Sequence, residues 1–263
     1  MVTRIPYFPG CTLSTQAREY DRSARAVAQA LGFELVELPD WQCCGATFPL
    51  SLDDSMALIA PTRVLYQAQQ SGERVVTLCA ICFHVLRRTQ ALLARDAAML
   101  ERINWFTGQE YRGVRVMHFL EILRDEIGWE NLKARVQSPI AMRLAPYYGC
   151  LLLRPHDEIG LDDPEQPTIL HELLRALGAE VVDFPYSIEC CGSYLTVKEP
   201  RISETLALEI VASARAGGAQ AIVTACPLCQ FNLEYPQRGA GKIPVLYFTG
   251  LMATALGVAD LGA

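Results

Sequence analysis

The chain has 263 residues, 51% of them hydrophobic, with a formal net charge of −6 and a pI of about 5.3. This length allows one large domain or two ordinary ones with a sizeable core, and the acidic balance argues against nucleic acid as the main partner. The first residues lack the apolar stretch of a secretory signal, so we expect a cytoplasmic protein whose thiols stay reduced.

Short apolar runs alternate with helical patterns along the chain. In the first half, strands are predicted over 5–8, 33–38 and 74–78, and helices over 15–31, over 53–70 and from about residue 80. Strands separated by helices indicate βαβ units and a mainly parallel sheet. The segment 243–259 carries no charge, but Pro244 and Gly250 interrupt it. We therefore predict a strand over 245–248 and a short buried or partner-facing helix there, and no membrane span.

The chain is an internal duplication. The segment ALGFELVELP at 30–39 matches ALGAEVVDFP at 176–185, and the halves meet near 136–142. We predict two halves, 1–138 and 139–263, each a Rossmann-like α/β unit, related by a pseudo-twofold axis. The second half has an additional segment after its first cysteine, which includes the residues 154–156 and 162–164.

Ten cysteines form two copies of one pattern, C-x31-CC-x34-CxxC and C-x39-CC-x34-CxxC. The copies consist of Cys11, Cys43, Cys44, Cys79 and Cys82, and of Cys150, Cys190, Cys191, Cys226 and Cys229. The cysteines follow predicted strands, and ligands bind at the carboxyl ends of the strands in open α/β sheets. Three loops in each half are therefore expected to converge on one site.

Disulfides, zinc and iron–sulfur clusters are the three explanations for such a pattern. The reducing compartment and the adjacent pairs count against disulfides, and zinc with its four ligands leaves one thiol unused in each copy. Adjacent cysteines have diverging side chains, which suit two irons of a larger cluster. Gly45 and Gly192 follow the pairs and allow the backbone to approach such a cluster closely. Iron–sulfur fits best, although five thiolates exceed the four that a cubane needs.

The doubled pattern, together with the run CPLCQFNL at 226–233, resembles the cysteine-rich CCG domains in the B-type subunit of heterodisulfide reductase over essentially the whole chain. The resemblance implies two noncubane [4Fe–4S] clusters, held by the ten cysteines and facing each other across a cleft. It implies a catalytic subunit that reduces or forms a disulfide. The alternative is a non-catalytic electron relay to a quinone or a partner dehydrogenase.

Partner subunits are expected because the chain has neither a ferredoxin-type cysteine run nor a GxGxxG fingerprint. The resemblance implies a ferredoxin-like subunit and a flavin-containing subunit. The uncharged C-terminal segment is a candidate docking surface, with a core helix as the favoured alternative.

His84 and His156 are candidate proton donors to a departing thiolate. For His84 the favoured alternative is a position on a helix surface, and His156 lies in the additional segment of the second half. His118 is expected in the core or at an interface, and His171 is expected to be exposed on a helix.

Overall fold

The computed structural model describes residues 2–46, 54–239 and 241–258, and within them the chain forms two four-stranded sheets. The first half contributes the strands β1 (Thr3–Tyr7), β2 (Phe33–Glu37), β3 (Arg74–Thr77) and β4 (Arg115–His118). The second half contributes β5 (Arg143–Tyr147), β6 (Glu180–Val181), β7 (Ala221–Thr224) and β8 (Val245–Tyr247).

The two sheets share one topology. All strand pairs are parallel, and the orders are β2-β1-β3-β4 and β6-β5-β7-β8. Equal strand order is what a duplicated α/β chain predicts, and the parallel sheet is confirmed. The division after residue 138 and the pseudo-twofold axis stay predictions.

Helices connect the strands in both halves. The first half contains α1 (Gly10–Leu13), α2 (Arg18–Ala30), α3 (Asp54–Ser71), α4 (Ala80–Arg95), α5 (Ala97–Thr107), α6 (Phe119–Ile122) and α7 (Trp129–Lys133), with a π-helical turn at Leu123–Ile127. The second half contains α8 (His156–Ile159), α9 (Ile169–Ala176), α10 (Pro200–Ala216), α11 (Pro227–Glu234) and α12 (Phe248–Ala255), with a 3₁₀ turn at Ser193–Leu195.

Local sequence signals explain these elements. In α2 the buried residues Tyr20, Ala24 and Val27 recur at helical spacing, which gives the helix one apolar face. The predicted strands and helices of the first half agree with the structure to within a few residues, apart from residue 53, which lies outside the described range. The predicted division of 243–258 into a strand and a short helix is also confirmed by β8 and α12.

The two halves interlock through their last helices. α12 packs on α2 of the first half, and α7 packs on α9 of the second. The rings of Tyr20 and Tyr247 stack with centroids 4.2 Å apart, and the hydroxyls of Ser23 and Thr249 are 2.7 Å apart.

The apolar C-terminal segment is therefore a core helix. Phe248, Leu251 and Met252 are buried by this packing, which confirms the favoured core helix and not the candidate docking surface. Among the described residues, no helix has both the length and the apolar character needed to cross a membrane.

Candidate metal centre

Both CxxC motifs lie where a central strand ends and a helix begins. Cys79 is the N-cap of α4 and Cys226 is the N-cap of α11, each with an extended backbone. Pro227 occupies the first turn of α11, where its missing N–H leaves no lost hydrogen bond. The pKa of Cys79 is lowered by hydrogen bonds from the thiols of Cys226 and Cys82, and also by the N–H groups of Cys82 and Ile81 in the first helical turn.

The five thiols of the first half form one connected set. The Sγ atoms of Cys11 and Cys43 are 3.8 Å apart, and those of Cys44 and Cys82 are 3.5 Å apart. Cys82 also interacts with Cys79. The adjacent thiols of Cys43 and Cys44 interact with each other as well, so the expected divergence of their side chains is not found in this half.

The second half repeats this arrangement. Cys150 donates a hydrogen bond to Cys190, and the Sγ atoms of Cys191 and Cys229 are 3.4 Å apart. Cys229 is hydrogen-bonded to Cys226. The three loops that were predicted to converge in each half therefore do so.

The two thiol sets meet at the seam between the halves. The thiols of Cys79 and Cys226 lie close enough for each to shift the pKa of the other, and the Ala80 N–H donates a hydrogen bond to the carbonyl of Ala225 over 3.1 Å. Cys79 and Cys226 are buried, whereas Cys43 is exposed. Each set therefore extends from the surface to a buried contact with the other set.

One thiol in each of the pairs Cys11–Cys43 and Cys150–Cys190 has a lowered pKa. Hydrogen bonds from the Cys44 thiol and the Gly45 N–H lower the pKa of Cys43 to about 5. In the second half, hydrogen bonds from Cys150 and from the Gly192 N–H lower the pKa of Cys190 to about 6. Both groups are thus thiolates at neutral pH, which is the form that binds metals.

Glycines at positive φ line both sets. Gly45 and Gly192, singled out from the sequence, have φ values of +76° and +73°. Their N–H groups lie 3.5 Å from the Sγ of Cys43 and 3.3 Å from the Sγ of Cys190. A residue with a Cβ would be strained in this conformation.

Gly10 and Gly149 form a second pair of glycines, which the sequence analysis missed. A Cβ on Gly10 would lie 2.7 Å from the Sγ of Cys82, and one on Gly149 would lie 3.4 Å from the Sγ of Cys229. The available signal was the dipeptide Gly-Cys at the first cysteine of both copies. At Gly10 the backbone therefore approaches the thiol more closely than a side chain would allow, whereas at Gly149 the added Cβ would make an ordinary contact.

Two buried hydroxyls beside the thiols have no hydrogen-bond partner among the described residues. They belong to Thr77 and Thr224, each two residues before the first cysteine of a CxxC motif. Residues two apart in an extended chain point to the same side. A buried, unpaired hydroxyl costs about 1–3 kcal/mol. The donor set itself, five thiols in each half with the N–H groups of Gly45 and Gly192 beside them, fits an iron–sulfur group.

The alternative uses of the thiols fit less well. All ten cysteines are free, and the measured sulfur separations far exceed the bond length of about 2 Å in a disulfide. In the described part of the chain, no three His, Cys, Asp or Glu side chains converge as a single metal ion requires. Thiols spread between the surface and the seam suit a cofactor with several metal centres better than one zinc ion.

His84 is buried, so its predicted alternative position on a helix surface is wrong. Its Nδ1 lies 3.1 Å from the carbonyl of Leu151, because the segment after Cys150 covers α4. Burial and the nearby Arg88 lower the pKa of His84 to about 4. His156 is exposed at the first position of α8.

The remaining two histidines are structural. His118 is fully buried and caps α6, which confirms the expected core position. His171 was expected to be exposed, but its ring bonds the hydroxyl of Tyr148 over 2.7 Å and the carboxylate of Asp183 over 2.9 Å. That expectation is wrong, because these two partners hold the ring against the second sheet.

Tyr194 lies close to thiols of both halves and was missed by the sequence analysis. Burial and the nearby Cys150 and Cys44 raise the pKa of Tyr194 to about 12, with smaller effects from Cys226 and Cys79. Its hydroxyl therefore keeps its proton at neutral pH. The equivalent residue of the first half is Thr47, so comparison of the repeats gave no signal.

The fold and the site define a duplicated parallel α/β protein with two equivalent five-thiol sets that touch at the seam. The family described as the cysteine-rich domain, CCG, matches residues 5–87 and 144–234. The chain belongs to this family, which confirms the resemblance stated from the cysteine pattern.

Curated relatives match almost the whole chain. The 8-methylmenaquinol:fumarate reductase membrane anchor subunit of Wolinella succinogenes is 34% identical, with 98% of this chain and 94% of the relative covered. The B-type subunit of the ferredoxin:CoB–CoM heterodisulfide reductase of Methanosarcina mazei is 28% identical, with 97% and 90% covered.

A solved structure shares the fold. A hypothetical protein from Helicobacter pylori superposes with a TM-score of 0.77 at 13% identity over 98% of this chain. This chain spans half the length of that protein. At such low identity the likeness shows the fold alone.

Proposed function

We propose that the chain is the iron–sulfur catalytic subunit of a heterodisulfide reductase-like complex, which reduces or forms a disulfide. The observation that carries the proposal is the meeting of two equivalent five-thiol sets at Cys79 and Cys226. Reduction of one S–S bond consumes two electrons, and a duplicated site provides two places from which single electrons are delivered. The relatives named as B-type subunits of heterodisulfide reductase, or as similar to them, support this assignment.

All ten cysteines are proposed ligands of two noncubane [4Fe–4S] clusters, five in each half. When bound, each cluster supplies or accepts one electron, so the pair matches the two-electron chemistry of a disulfide. The acidic thiols of Cys43 and Cys190 offer ready ligands at neutral pH, and the glycine backbone leaves room beside Cys82 and Cys229. The buried inner cysteines exclude water from the seam.

Disulfide reduction also consumes two protons. Tyr194 is a further candidate donor because it lies within electrostatic range of thiols of both halves, while burial makes its hydroxyl a weaker acid than an exposed tyrosine. His84 and His156 stay in the proposal as secondary donors. The low pKa of His84 makes its charged form scarce at neutral pH, and its Nδ1–H is already donated to Leu151.

The proposed partners are a ferredoxin-like subunit and a flavin-containing subunit, which bring the electrons. The relative from Methanosarcina mazei is named as part of a ferredoxin-dependent enzyme, which supports the first partner. The cytoplasmic location stays a prediction.

A second candidate function is a non-catalytic electron relay to a quinone or a partner dehydrogenase. Two observations favour it: the inner thiols of the two sets lie close to each other, and a 34% identical relative is named as a subunit of a menaquinol:fumarate reductase. In this case the substrate disulfide has no role.

One experiment tests both functions. The protein is purified without oxygen and its iron is counted, with about eight iron atoms per chain expected for two clusters. An organic disulfide is then added, and the EPR spectrum is recorded. A changed spectrum supports catalysis and an unchanged one supports the relay. Four irons or fewer in a fully loaded sample would contradict both proposals.

A further inference from the structure

Helix α11 presents an apolar face to solvent. Leu228, Phe231 and Tyr235 recur at helical spacing and lie on one side of the helix. All three are exposed, and the rings of Phe231 and Tyr235 stack with centroids 5.2 Å apart. Surface aromatics grouped in this way are typical of protein interaction sites.

The equivalent helix of the first half, α4, is covered at the same positions. Ile81 is 4% exposed where Leu228 is 36% exposed, and His84 is 6% exposed where Phe231 is 45% exposed. The difference therefore lies in what covers the two helices, because the CxxC motifs that begin them are equivalent.

The cover of α4 is the segment that follows Cys150. His84 contacts the carbonyl of Leu151, and Glu158 on α8 pairs with Arg88 over 2.5 Å and with Arg95 over 2.8 Å. This segment belongs to the longer loop of the second half, which has 39 residues between its first cysteine and its adjacent pair where the first half has 31. The shorter loop has no matching segment to place on α11.

Two cationic side chains beside the exposed face of α11 favour an acidic partner. Arg238 stacks over the Tyr235 ring at 5.1 Å, and Lys242 lines the groove beside Phe231 and Tyr235. Neither cation takes part in an ion pair within the part of the chain that the structure describes. Glu234 also lines this groove, so two cations face one carboxylate, and this excess of positive charge attracts an acidic surface.

We propose that this face of α11 is the docking site of an acidic electron-carrier protein, which is oxidised as it reduces the cofactor of the second half. The inference rests on the proposed iron–sulfur function. Leu228 lies between Cys226 and Cys229, so a protein bound on this face approaches the second thiol set closely. The cover on α4 blocks the equivalent approach to the first set, so the carrier binds on one side only.

The test compares two double variants of the iron-loaded protein. Phe231→Ser/Tyr235→Ser removes the aromatic face, and Trp105→Ser/Phe106→Ser removes two exposed aromatics of α5 as the matched control. Reduction by a reduced [2Fe–2S] ferredoxin, an acidic carrier, is followed by stopped flow. We expect the first variant to slow it at least about tenfold and the control to leave it unchanged. The wild-type rate should fall as salt is raised.

Several results would overturn the docking site. The first is an unchanged rate of reduction by ferredoxin in Phe231→Ser/Tyr235→Ser, and the second is an equal loss of this rate in both double variants. The third is a wild-type protein that forms a dimer which Phe231→Ser/Tyr235→Ser dissociates. The fourth is a wild-type protein that binds lipid vesicles, with binding abolished by Phe231→Ser/Tyr235→Ser. Iron content and reduction by dithionite are measured on every sample. Loss of either one in the wild type points to failure of the proposed iron–sulfur function, whereas loss of the ferredoxin rate alone concerns the docking site.

Discussion

Replacing Gly10 with alanine tests how closely the backbone approaches the first thiol set. Gly10 has a φ of +74°, and its Cβ would lie 2.7 Å from the Sγ of Cys82. Alanine in this left-handed conformation costs about 1–2 kcal/mol. A contact that forces the cysteine or α1 to move costs about 1–3 kcal/mol more. Together we expect the free energy of unfolding to fall by about 2–5 kcal/mol.

Two other glycines separate these costs. Gly32 has a φ of +91° with nothing within 4 Å of the added Cβ, so Gly32→Ala carries only the backbone cost. Gly149 has a φ of +64° and a Cβ position 3.4 Å from the Sγ of Cys229, an ordinary contact distance. The expected order of destabilisation is Gly10→Ala first, with the other two variants similar to each other.

The assay combines denaturant unfolding of the metal-free protein with an iron count after reconstitution. Because the clash displaces Cys82, we expect Gly10→Ala to lose the cofactor of the first half and retain about half of the iron. Gly32→Ala should retain all of it. The reasoning is refuted if Gly10→Ala and Gly32→Ala agree in both stability and iron content.

Three further predictions concern protons. In the metal-free protein at pH 7, iodoacetamide should modify Cys43 faster than its neighbour Cys11, because the pKa of Cys43 is lowered to about 5 and that of Cys11 is raised; mass spectrometry giving equal rates contradicts this. Burial lowers the pKa of His118 to about 4, so its neutral form should stabilise the fold above pH 6.5. The free energy of unfolding should fall by about 3 kcal/mol as the pH is lowered from 6.5 to 4. His118→Asn should reduce this dependence of the free energy of unfolding on pH, measured by denaturant unfolding. An unchanged dependence would show that His118 is not its cause. Tyr194→Phe should leave the iron content intact and slow disulfide reduction about 100-fold, and a wild-type rate excludes Tyr194 as the proton donor.

The sequence was sufficient for the elements and for the convergence of the thiols. The strands before Cys79 and Cys226 are short apolar runs, and the position of a cysteine after such a run follows from local pattern alone. Parallel pairing then brings the strand ends to one edge. These inferences need no knowledge of how the two halves pack.

Packing between the halves was not predictable in the same way. The burial of His84 depends on a loop that lies 67 residues away in the chain, and the contact between Cys79 and Cys226 depends on how two helix ends meet. The close approach of Gly10 to Cys82 is likewise a three-dimensional fact, although the repeated Gly-Cys dipeptide pointed to it. Periodicity reports which face of an element is apolar, but it does not report what covers that face.

Duplication made the two thiol sets equivalent, and the longer loop of the second half made their surroundings different. If the carrier binds on α11, its electrons enter through the second set and pass to the first where the thiols of Cys226 and Cys79 lie close together. Cys190→Ser/Cys191→Ser, which disrupts the second set, should then slow ferredoxin reduction of the remaining iron. The equivalent Cys43→Ser/Cys44→Ser should leave reduction of its remaining iron fast. Equal rates in the two variants would show that the covered face of α4 is no barrier, and the asymmetry would have no functional consequence.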